Sequence, residues 1–500
     1  RGPGRAELMR MVAALFGPDL FLARLVQPLL GALDHFLRID RGRGSGLPLV
    51  CTVLAWLRDV GDAASPPLAP HTAYYSGALS SLPINALLHD LVQLRNHGND
   101  PSRFFLTRNA FLLSAKTKRA LLGAEAAAMQ AQAQQIAVAR GILSRGVIEP
   151  FTVIRVRRDQ LVPQTLQQVA AMDDEHLRKP LKVVFEGEDG VDEGGVRKEF
   201  FQIVIAQLFD VNYGMFLPDE SDRIVWFNKD CTWCADEYRL IGVIVGLAAY
   251  NAALLDVHFP MVVYKRLMAK DVGLADLEEI DAQLYRGLRQ LLDYDGDDVE
   301  EVFCRTFLVE WEDFGLKRTF ELTPGGADIP VTSANRQEYV DMFVHWYLVD
   351  SVASQYREFA HGFARVMQGA SVFLLRPEEL KLLVVGEDVL DFHELDRAAT
   401  YEGGYTRDTP AVGWFWEVVH AMDEEEQKRL LAFTTGSSRA PIGGLGNQPF
   451  IIQRAGPDSA MLPSSHTCFS SLLLPEYSSK AKLERLLKLA LRESEGFGLA

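Results

Sequence analysis

The sequence has 500 residues, 48% of them apolar, which is enough to bury more than one core. Its formal net charge is −16, and it lacks a basic run of the kind that binds nucleic acid, which argues against phosphate-backbone recognition as its main activity. Five cysteines, an odd number, predict a reduced protein of the cytosol or nucleus. Arg1 stands where a start methionine would, so we expect an upstream segment to be missing.

The first 149 residues show helical periodicity that is often interrupted by proline and glycine. Residues 1–65 predict short helices broken at Gly17, Pro28 and the glycine-rich residues 41–46. Residues 66–149 predict a linker, marked by Pro66, Pro67 and Pro70, followed by a helical support. Residues 120–140 are rich in Ala and Gln, which have high helix propensity. What this region binds is not readable from its sequence.

From Phe151 onward, β-branched runs appear among helical ones. Residues 151–157 and 181–185 predict short strands, and residues 196–209, 239–255, 276–292 and 336–366 predict helices. Residues 240–255 are the most apolar stretch, but 16 residues fall short of the roughly 20 that span a bilayer. We therefore expect a core helix whose Gly242 and Gly246 allow close packing, and no membrane insertion.

The C-terminal part centres on a single thiol, Cys468. Pro463 and Pro475 restrict the backbone on either side of it, and residues 480–491 predict a closing helix. A nucleophile that meets a bulky partner needs such an exposed but supported loop. On chemistry alone, a small buried apolar cysteine is the more common interpretation.

Several motifs together resemble one known family. Around the cysteine these are His466–Phe469 (HTCF), Leu473–Tyr477 (LLPEY) and the tail Gly496–Ala500 (GFGLA). Upstream they are Gly190–Phe201 (GVDEGGVRKEFF), Tyr213–Phe216 (YGMF), Tyr401–Asp408 (YEGGYTRD), Trp414–Trp416 (WFW) and Phe433–Pro441 (FTTGSSRAP). In this order they resemble HECT-type ubiquitin ligases over roughly residues 150–500. The resemblance is closest to the branch that includes the E6-associated protein and its small relatives.

The resemblance implies an α+β, bilobal HECT domain behind the helical N-terminal region. Its larger, mainly helical lobe would cover residues 150–385, with a subdomain at about 270–360 that binds the conjugating enzyme. Gly386, Glu387 and Asp388 would form the hinge, and residues 389–500 the smaller lobe. A glycine at position 386 could equally well cap a helix.

The resemblance also assigns the residues of the site. Cys468 would accept ubiquitin as a thioester from a charged conjugating enzyme and pass it to a substrate lysine, supported by His466, Thr467 and Phe469. Phe497 would anchor the tail against the larger lobe. A groove for the conjugating enzyme would be lined by Leu284, Leu288, Phe303 and Tyr356; an ordinary core is the alternative for these four. The base that deprotonates the lysine stays open, since neither Glu493 nor Glu495 is singled out.

No cofactor or metal is expected, because the incoming ubiquitin is already activated. The pair Cys231 and Cys234 lacks a second pair at metal-site spacing. The acidic run 293–301 begins like a calcium loop, but its sixth position is Asp298 where glycine is required, and its twelfth would be Cys304 where glutamate is required. Two other functional classes stay open. A cysteine hydrolase would pair Cys468 with His466 or His420, and a non-catalytic scaffold would leave the thiol inert.

Overall fold

A computed structural model gives the fold of the chain. It describes residues 15, 17–39, 46–64, 67–100, 102–144, 150–188, 195–218, 225–231, 234–313, 315–467 and 469–497. The chain divides into two compact units, one made of Arg1–Met129 and Gln368–Arg376, and the other of Gln130–Met367 and Pro377–Ala500.

The first unit is built from helices around one apolar core. They are α1 (Pro18–Phe21), α2 (Gln27–Ile39), α3 (Gly46–Ala63), α4 (Gly77–Ser80), α5 (Ile84–His97) and the start of α6 (Ala115–Ser144). Buried leucines from α2, α3 and α5, such as Leu33, Leu54 and Leu87, meet in the core. Leu68 and Ala69, in the proline-marked segment, are buried there as well.

The expected helix break at Pro28 is wrong. The chain is helical without interruption from Pro18 to Ile39, because a π-helical turn at Leu22–Val26 joins α1 to α2 directly before the proline. A wider turn accommodates a residue that has no backbone N–H to donate. Within the described residues there is one helix, Pro18–Arg38, that is long enough and apolar enough to cross a membrane. Phe21, Val26 and Leu33 on it are completely buried in the core of this unit.

In its described residues, the second unit mixes helices with four small sheets, which confirms the α+β class. Its helices up to position 385 are α7 (Leu161–Ala171), α8 (Asp174–Leu177), α9 (Gly195–Leu208), α10 (Ala235–Tyr250), α11 (Met261–Leu267), α12 (Leu274–Leu277), α13 (Ala282–Asp293), α14 (Val299–Phe303), α15 (Arg336–His345), α16 (Ala353–Val366) and α17 (Pro377–Val385). Those that follow are α18 (Phe392–Ala398), α19 (Pro410–His420), α20 (Glu424–Thr435) and α21 (Lys480–Phe497).

Helix α10 is the centre of the region before position 385. Every residue from Leu240 to Tyr250 is buried, as its composition predicts. A Cβ added at Gly242 would come within 2.0 Å of the Phe359 carbonyl oxygen on α16, and one at Gly362 equally close to the Arg239 carbonyl oxygen. The two glycines therefore allow the backbones of α10 and α16 to touch.

Three of the sheets are two-stranded pairs. The pairs are β1 (Thr152–Val156) with β2 (Leu181–Phe185), in parallel, and the antiparallel pairs β3 (Phe216–Pro218) with β4 (Val225–Phe227) and β5 (Leu308–Asp313) with β6 (Leu316–Glu321).

The fourth sheet organises residues 389–500. Its strands are β7 (Thr400–Glu402), β8 (Ile451–Arg454), β9 (Ser464–His466) and β10 (Ser471–Leu474), in the order β7-β8-β10-β9. The pairs β7–β8 and β8–β10 are parallel, and β9 adds antiparallel to β10 at the edge. Leu472 and Leu474 point into a core shared with α19, α20 and α21. One buried face thus fixes the register of β10.

Candidate active site

The residues on either side of the predicted nucleophile belong to a hairpin at the edge of the sheet. Strand β9 pairs with β10 so that His466 lies opposite Ser471 and Ser464 opposite Leu473. Two backbone bonds close the turn, from Phe469 N to His466 O at 3.1 Å and from Ser470 N to Thr467 O at 3.3 Å. Cys468 itself lies outside the described residues, between Thr467 and Phe469.

The neighbours of Cys468 differ in exposure. His466 is exposed, Thr467 is half-buried, and the Phe469 side chain is 51% exposed. Ser470 is buried with a positive φ of 51°, a conformation that costs energy for a residue with a Cβ. Its carbonyl accepts from Ile451 N at 3.0 Å, and its hydroxyl oxygen accepts from Gln448 Nε2 at 3.1 Å. These two bonds hold the strained residue that follows the exposed tip.

Two buried tyrosines fix the ends of the hairpin. The Tyr477 hydroxyl donates to Met461 O at 2.5 Å, before β9, and the Tyr405 hydroxyl donates to Leu474 O at 3.0 Å, at the end of β10. Burial is the main cause that raises the pKa of each phenol to about 12. Both hydroxyls therefore stay protonated, and remain donors, across the physiological range.

A further bond ties the hairpin to the preceding helix. Ser465 Oγ donates to Phe433 O at 2.6 Å, in the last turn of α20. Gly436 ends that helix in the left-handed region, with φ +78°, and its N–H donates to Ala432 O at 2.9 Å. The motif Phe433–Pro441 thus contains the end of α20, which the cysteine hairpin contacts.

The predicted hinge residues have different surroundings. Gly386 follows α17 with φ +84°, and its N–H donates to Leu382 O at 2.9 Å, so it caps the helix as a glycine often does. Glu387 exchanges two backbone bonds with Ala440, and Asp388 Oδ1 lies 2.5 Å from Arg439 Nη1. Two of the three residues are therefore bonded to the region that follows them.

Three of the four predicted groove residues lie together. Leu284 and Leu288 on α13 and Phe303 at the end of α14 line one open groove, of about 680 Å³. Leu284 is half-buried and Leu288 is buried, as two residues one turn apart on the same face would be. Arg286 and Arg305 add positive charge to the wall.

Tyr356 does not take part in this groove. It lies on α16, 9% exposed, with its ring 6.0 Å from that of Phe227 and the guanidinium of Arg266 stacked 3.6 Å from its centre. Its ring is thus covered by β4 and α11, which explains the burial. The side chain of Phe497, the predicted tail anchor, lies outside the described residues; its backbone ends α21.

Other groove residues were not predicted. They are Leu291 on α13, Val302 on α14, and Tyr339 and Phe343 on α15. Leu291 continues the helical spacing of Leu284 and Leu288, and Tyr339 and Phe343 are one turn apart. The periodicity indicates that each face is apolar, but it does not say which faces meet.

Metal binding finds no support in the described part of the chain. None of its clusters of three or more His, Cys, Asp or Glu side chains could hold an ion. Cys51, Cys231 and Cys234 are buried free thiols, and Cys304 is an exposed one. Cys234 has a pKa raised to about 12, first by burial and then by Cys231, so it stays a thiol at neutral pH.

A family model described as HECT-domain (ubiquitin-transferase) matches residues 202–500, which is more than half of the chain. The chain belongs to the HECT family. The human Probable E3 ubiquitin-protein ligase HERC4 is 42% identical over 352 residues, covering 70% of this chain and 33% of HERC4. The mouse Probable E3 ubiquitin-protein ligase HECTD2 is 36% identical over 475 residues, covering 91% and 60%. The Probable E3 ubiquitin-protein ligase HUL4 of Eremothecium gossypii is 33% identical over 413 residues, covering 80% and 49%.

The HECT match covers the hairpin, the groove and Gly386. It begins within α9, after the motif at residues 190–201. The chain spans between about one third and 60% of the length of these relatives. Its fold class and family follow from these comparisons.

Proposed function

We propose that this chain is a HECT-type ubiquitin-protein ligase. It accepts ubiquitin from a conjugating enzyme as a thioester on Cys468, then transfers it to a substrate lysine. The observation that carries the proposal is the hairpin: within a matched HECT domain, the one cysteine of residues 389–500 stands in sequence between Thr467 and the solvent-exposed Phe469, both in the turn that joins β9 to β10.

Thioester exchange demands little from the protein beyond position. The thiolate of Cys468 attacks the carbonyl carbon of the incoming thioester, a new C–S bond forms, and the thiolate of the conjugating enzyme leaves. Because one thioester replaces another, the step is nearly balanced and needs no metal or cofactor at this chain. Holding the two partners together supplies most of the acceleration.

The groove is the proposed dock for the conjugating enzyme. Leu284, Leu288 and Phe303 offer an apolar floor, and Arg286 and Arg305 a polar wall, the composition of a surface that binds and releases a partner. Ubiquitin and a protein substrate are the other proposed partners. Phe497 is proposed to anchor the tail, while His466, Thr467 and Phe469 support the loop.

In this proposal residues 150–385 are the larger lobe, with the docking subdomain at about 270–360. Residues 389–500 are the smaller lobe, and Gly386 to Asp388 form the hinge between them. Residues 1–65 and 66–149 precede the catalytic domain. A rotation at Gly386 would carry Cys468 between the docked donor and the acceptor lysine.

Two finer assignments are also proposed. The tail motif at 496–500 supports a place near the E6-associated-protein branch, which an alignment of complete HECT domains would test. Free thiols at four described positions support a reducing location, in the cytoplasm or nucleus, which imaging of the tagged protein would test.

One gel tests the activity. The chain is incubated with activating enzyme, conjugating enzyme, ATP and ubiquitin, and is compared with Cys468→Ala with and without a reducing agent. A thiol-sensitive adduct on the wild type alone is expected. Release of ubiquitin without an adduct would favour a cysteine hydrolase instead, and no adduct and no release would favour a scaffold.

The hydrolase alternative has little structural support. His420 Nε2 lies 3.2 Å from Asp396 Oδ2, and its ring stacks on that of His393 with centroids 4.1 Å apart. These contacts place His420, on α19, beside α18. His466 is an exposed residue of β9, two positions before Cys468.

A further inference from the structure

One lysine side chain connects the two lobes beside the cysteine hairpin. Lys198, on α9 of the larger lobe, donates from Nζ to the carbonyl oxygens of Thr435 and Thr467, each at 3.3 Å. Thr435 is the last residue of α20, and Thr467 directly precedes Cys468. Both acceptors belong to the smaller lobe and lie far from Lys198 in sequence.

The chemistry of the contact favours a cation. The last carbonyls of a helix have no partner within the helix, and they carry partial negative charge. Thr435 O is one of these carbonyls, because α20 ends at that residue. An ammonium group has three donors and no acceptor, so it can serve a helix end and a loop carbonyl together.

The two structures that carry these carbonyls, the end of α20 and the cysteine hairpin, are hydrogen-bonded to each other. Ser465 Oγ donates to Phe433 O at 2.6 Å, and so joins the hairpin to the end of α20. Gly436, which directly follows α20, lies near both the hairpin and α9. A Cβ added to it would lie 3.8 Å from Thr467 Cβ and 4.0 Å from Lys198 Cδ. Gln202, one turn further along α9, approaches the same point at 3.9 Å.

A bond to Thr467 O acts on the nucleophile through one peptide unit. The carbonyl carbon of Thr467 is bonded to the nitrogen of Cys468, and the peptide unit is planar. Whatever fixes the direction of this carbonyl therefore fixes the direction in which the chain enters residue 468. The groove residues are on α13, α14 and α15, so the contact is separate from the proposed dock.

We propose that Lys198 is a positioning residue, which clasps the cysteine hairpin of the smaller lobe onto α9 during ubiquitin transfer. It acts through the backbone of Thr467 and touches no reacting atom. The inference rests on the proposed ligase function and assigns a role within it to a residue outside the groove and the hinge.

The test compares Lys198→Met, Lys198→Arg and a control, Lys182→Met. Methionine keeps the length of the side chain and removes the charge and the donors. Lys182, an exposed residue of β2 whose ammonium lies 4.0 Å from the ring centre of Phe151, provides the same substitution away from the hairpin. Ubiquitin transfer to free lysine, which serves as the acceptor, is measured against the concentration of charged conjugating enzyme.

Lys198→Met should lower kcat about tenfold, the effect expected when a charge-assisted hydrogen bond is lost. KM for the conjugating enzyme should stay within about twofold, because the groove is untouched. Lys198→Arg should recover at least a third of the lost rate, and Lys182→Met should match the wild type. A kcat within twofold of wild type in Lys198→Met, a change in KM alone, or an arginine variant as slow as the methionine variant would overturn the proposal.

Hydrogen exchange provides a readout that does not need activity. In Lys198→Met, the amides of residues 433–437 and 464–467 should exchange several-fold faster, while those of β8 should be unchanged. If the wild type forms no thioester, the ligase proposal fails, and the exchange data still decide whether Lys198 holds the hairpin. Unchanged exchange in both segments would overturn the clasp by itself.

Discussion

The cysteine hairpin and the docking groove are built from different interactions. The hairpin is held by hydrogen bonds, from Tyr477 to Met461 O, from Tyr405 to Leu474 O and from Ser465 to Phe433 O. The groove is formed by apolar side chains on the faces of α13, α14 and α15. A nucleophile needs a fixed direction, which hydrogen bonds impose, whereas a dock for a departing partner needs apolar area.

The comparison predicts that damage to the groove acts on binding. Phe303→Asp should raise KM for the charged conjugating enzyme about 10- to 100-fold, because a desolvated aromatic contact is replaced by a charge. Its kcat should change little, since the hairpin is untouched. Single-turnover charging at several concentrations of conjugating enzyme measures both quantities.

Tyr356→Phe is the matched control. Tyr356 lies outside the groove, and in the described structure its buried hydroxyl has no hydrogen-bond partner, so removing the oxygen should leave charging and stability near wild type. If Tyr356→Phe impaired charging as much as Phe303→Asp did, the groove would be wrongly placed.

The proposed hinge at Gly386 should respond to crowding. A Cβ at position 386 would lie 2.6 Å from Ala440 O and 2.9 Å from Leu254 Cδ1, on a residue with φ +84°. Gly386→Ala should therefore lower the free energy of unfolding by about 1–3 kcal/mol, and transfer should slow several-fold. Thermal unfolding and transfer rates measure these effects.

The variant Gly404→Ala separates the cost of a positive φ from the cost of a steric clash. Gly404 also has a positive φ, +94°, but an added Cβ would meet nothing within 4 Å. It should therefore show the backbone cost alone and leave transfer unchanged. Equal losses in the two alanine variants would rule out a special role for position 386.

The smallest expected effect is on stability, at Asp458 in the segment between β8 and β9. Asp458 accepts from Lys482 Nζ at 2.7 Å and from Ser478 N at 3.0 Å. The Lys482 hydrogen bond is the main cause, with Ser478 second, that holds the pKa of this carboxyl below its ordinary value. A carboxyl with a lowered folded-state pKa stabilises the fold above its unfolded pKa and loses that contribution as the pH falls through the folded value.

Asp458→Asn should consequently lower the melting temperature slightly at pH 7. The difference from wild type should shrink below about pH 4, the ordinary range of an aspartate. Melting curves from pH 3 to pH 7 test this. A difference that grew toward acid pH would contradict the assigned cause.

The sequence predicted local features better than it predicted contacts between elements that are distant along the chain. The spacing of Leu284 and Leu288 was sufficient to predict one face of α13. The apolar run at 240–255 predicted a buried helix, which the structure ends at Tyr250. The helix break predicted at Pro28 was wrong, because residue preferences do not predict the π-helical turn that precedes this proline. Tyr356 was assigned by the family resemblance, while its surroundings depend on how α16 packs against α11 and β4.

The Lys198 contact illustrates what remained hidden. Its two acceptors are backbone carbonyls, which every residue has, so no side-chain pattern could indicate them. They are 237 and 269 residues away in sequence, and only the folded arrangement brings them to one ammonium group. The motif at residues 190–201 marked the segment but not the side chain that acts.

The most direct test of the account replaces the sulfur of Cys468 by oxygen. With charged conjugating enzyme in excess, the wild type should form an adduct that a thiol reagent removes. Cys468→Ser should form a slower, thiol-resistant oxyester, which peptide mass mapping locates at residue 468. A thiol-sensitive adduct that persists in Cys468→Ser, or maps to Cys304, would contradict the claim that Cys468 carries the ubiquitin.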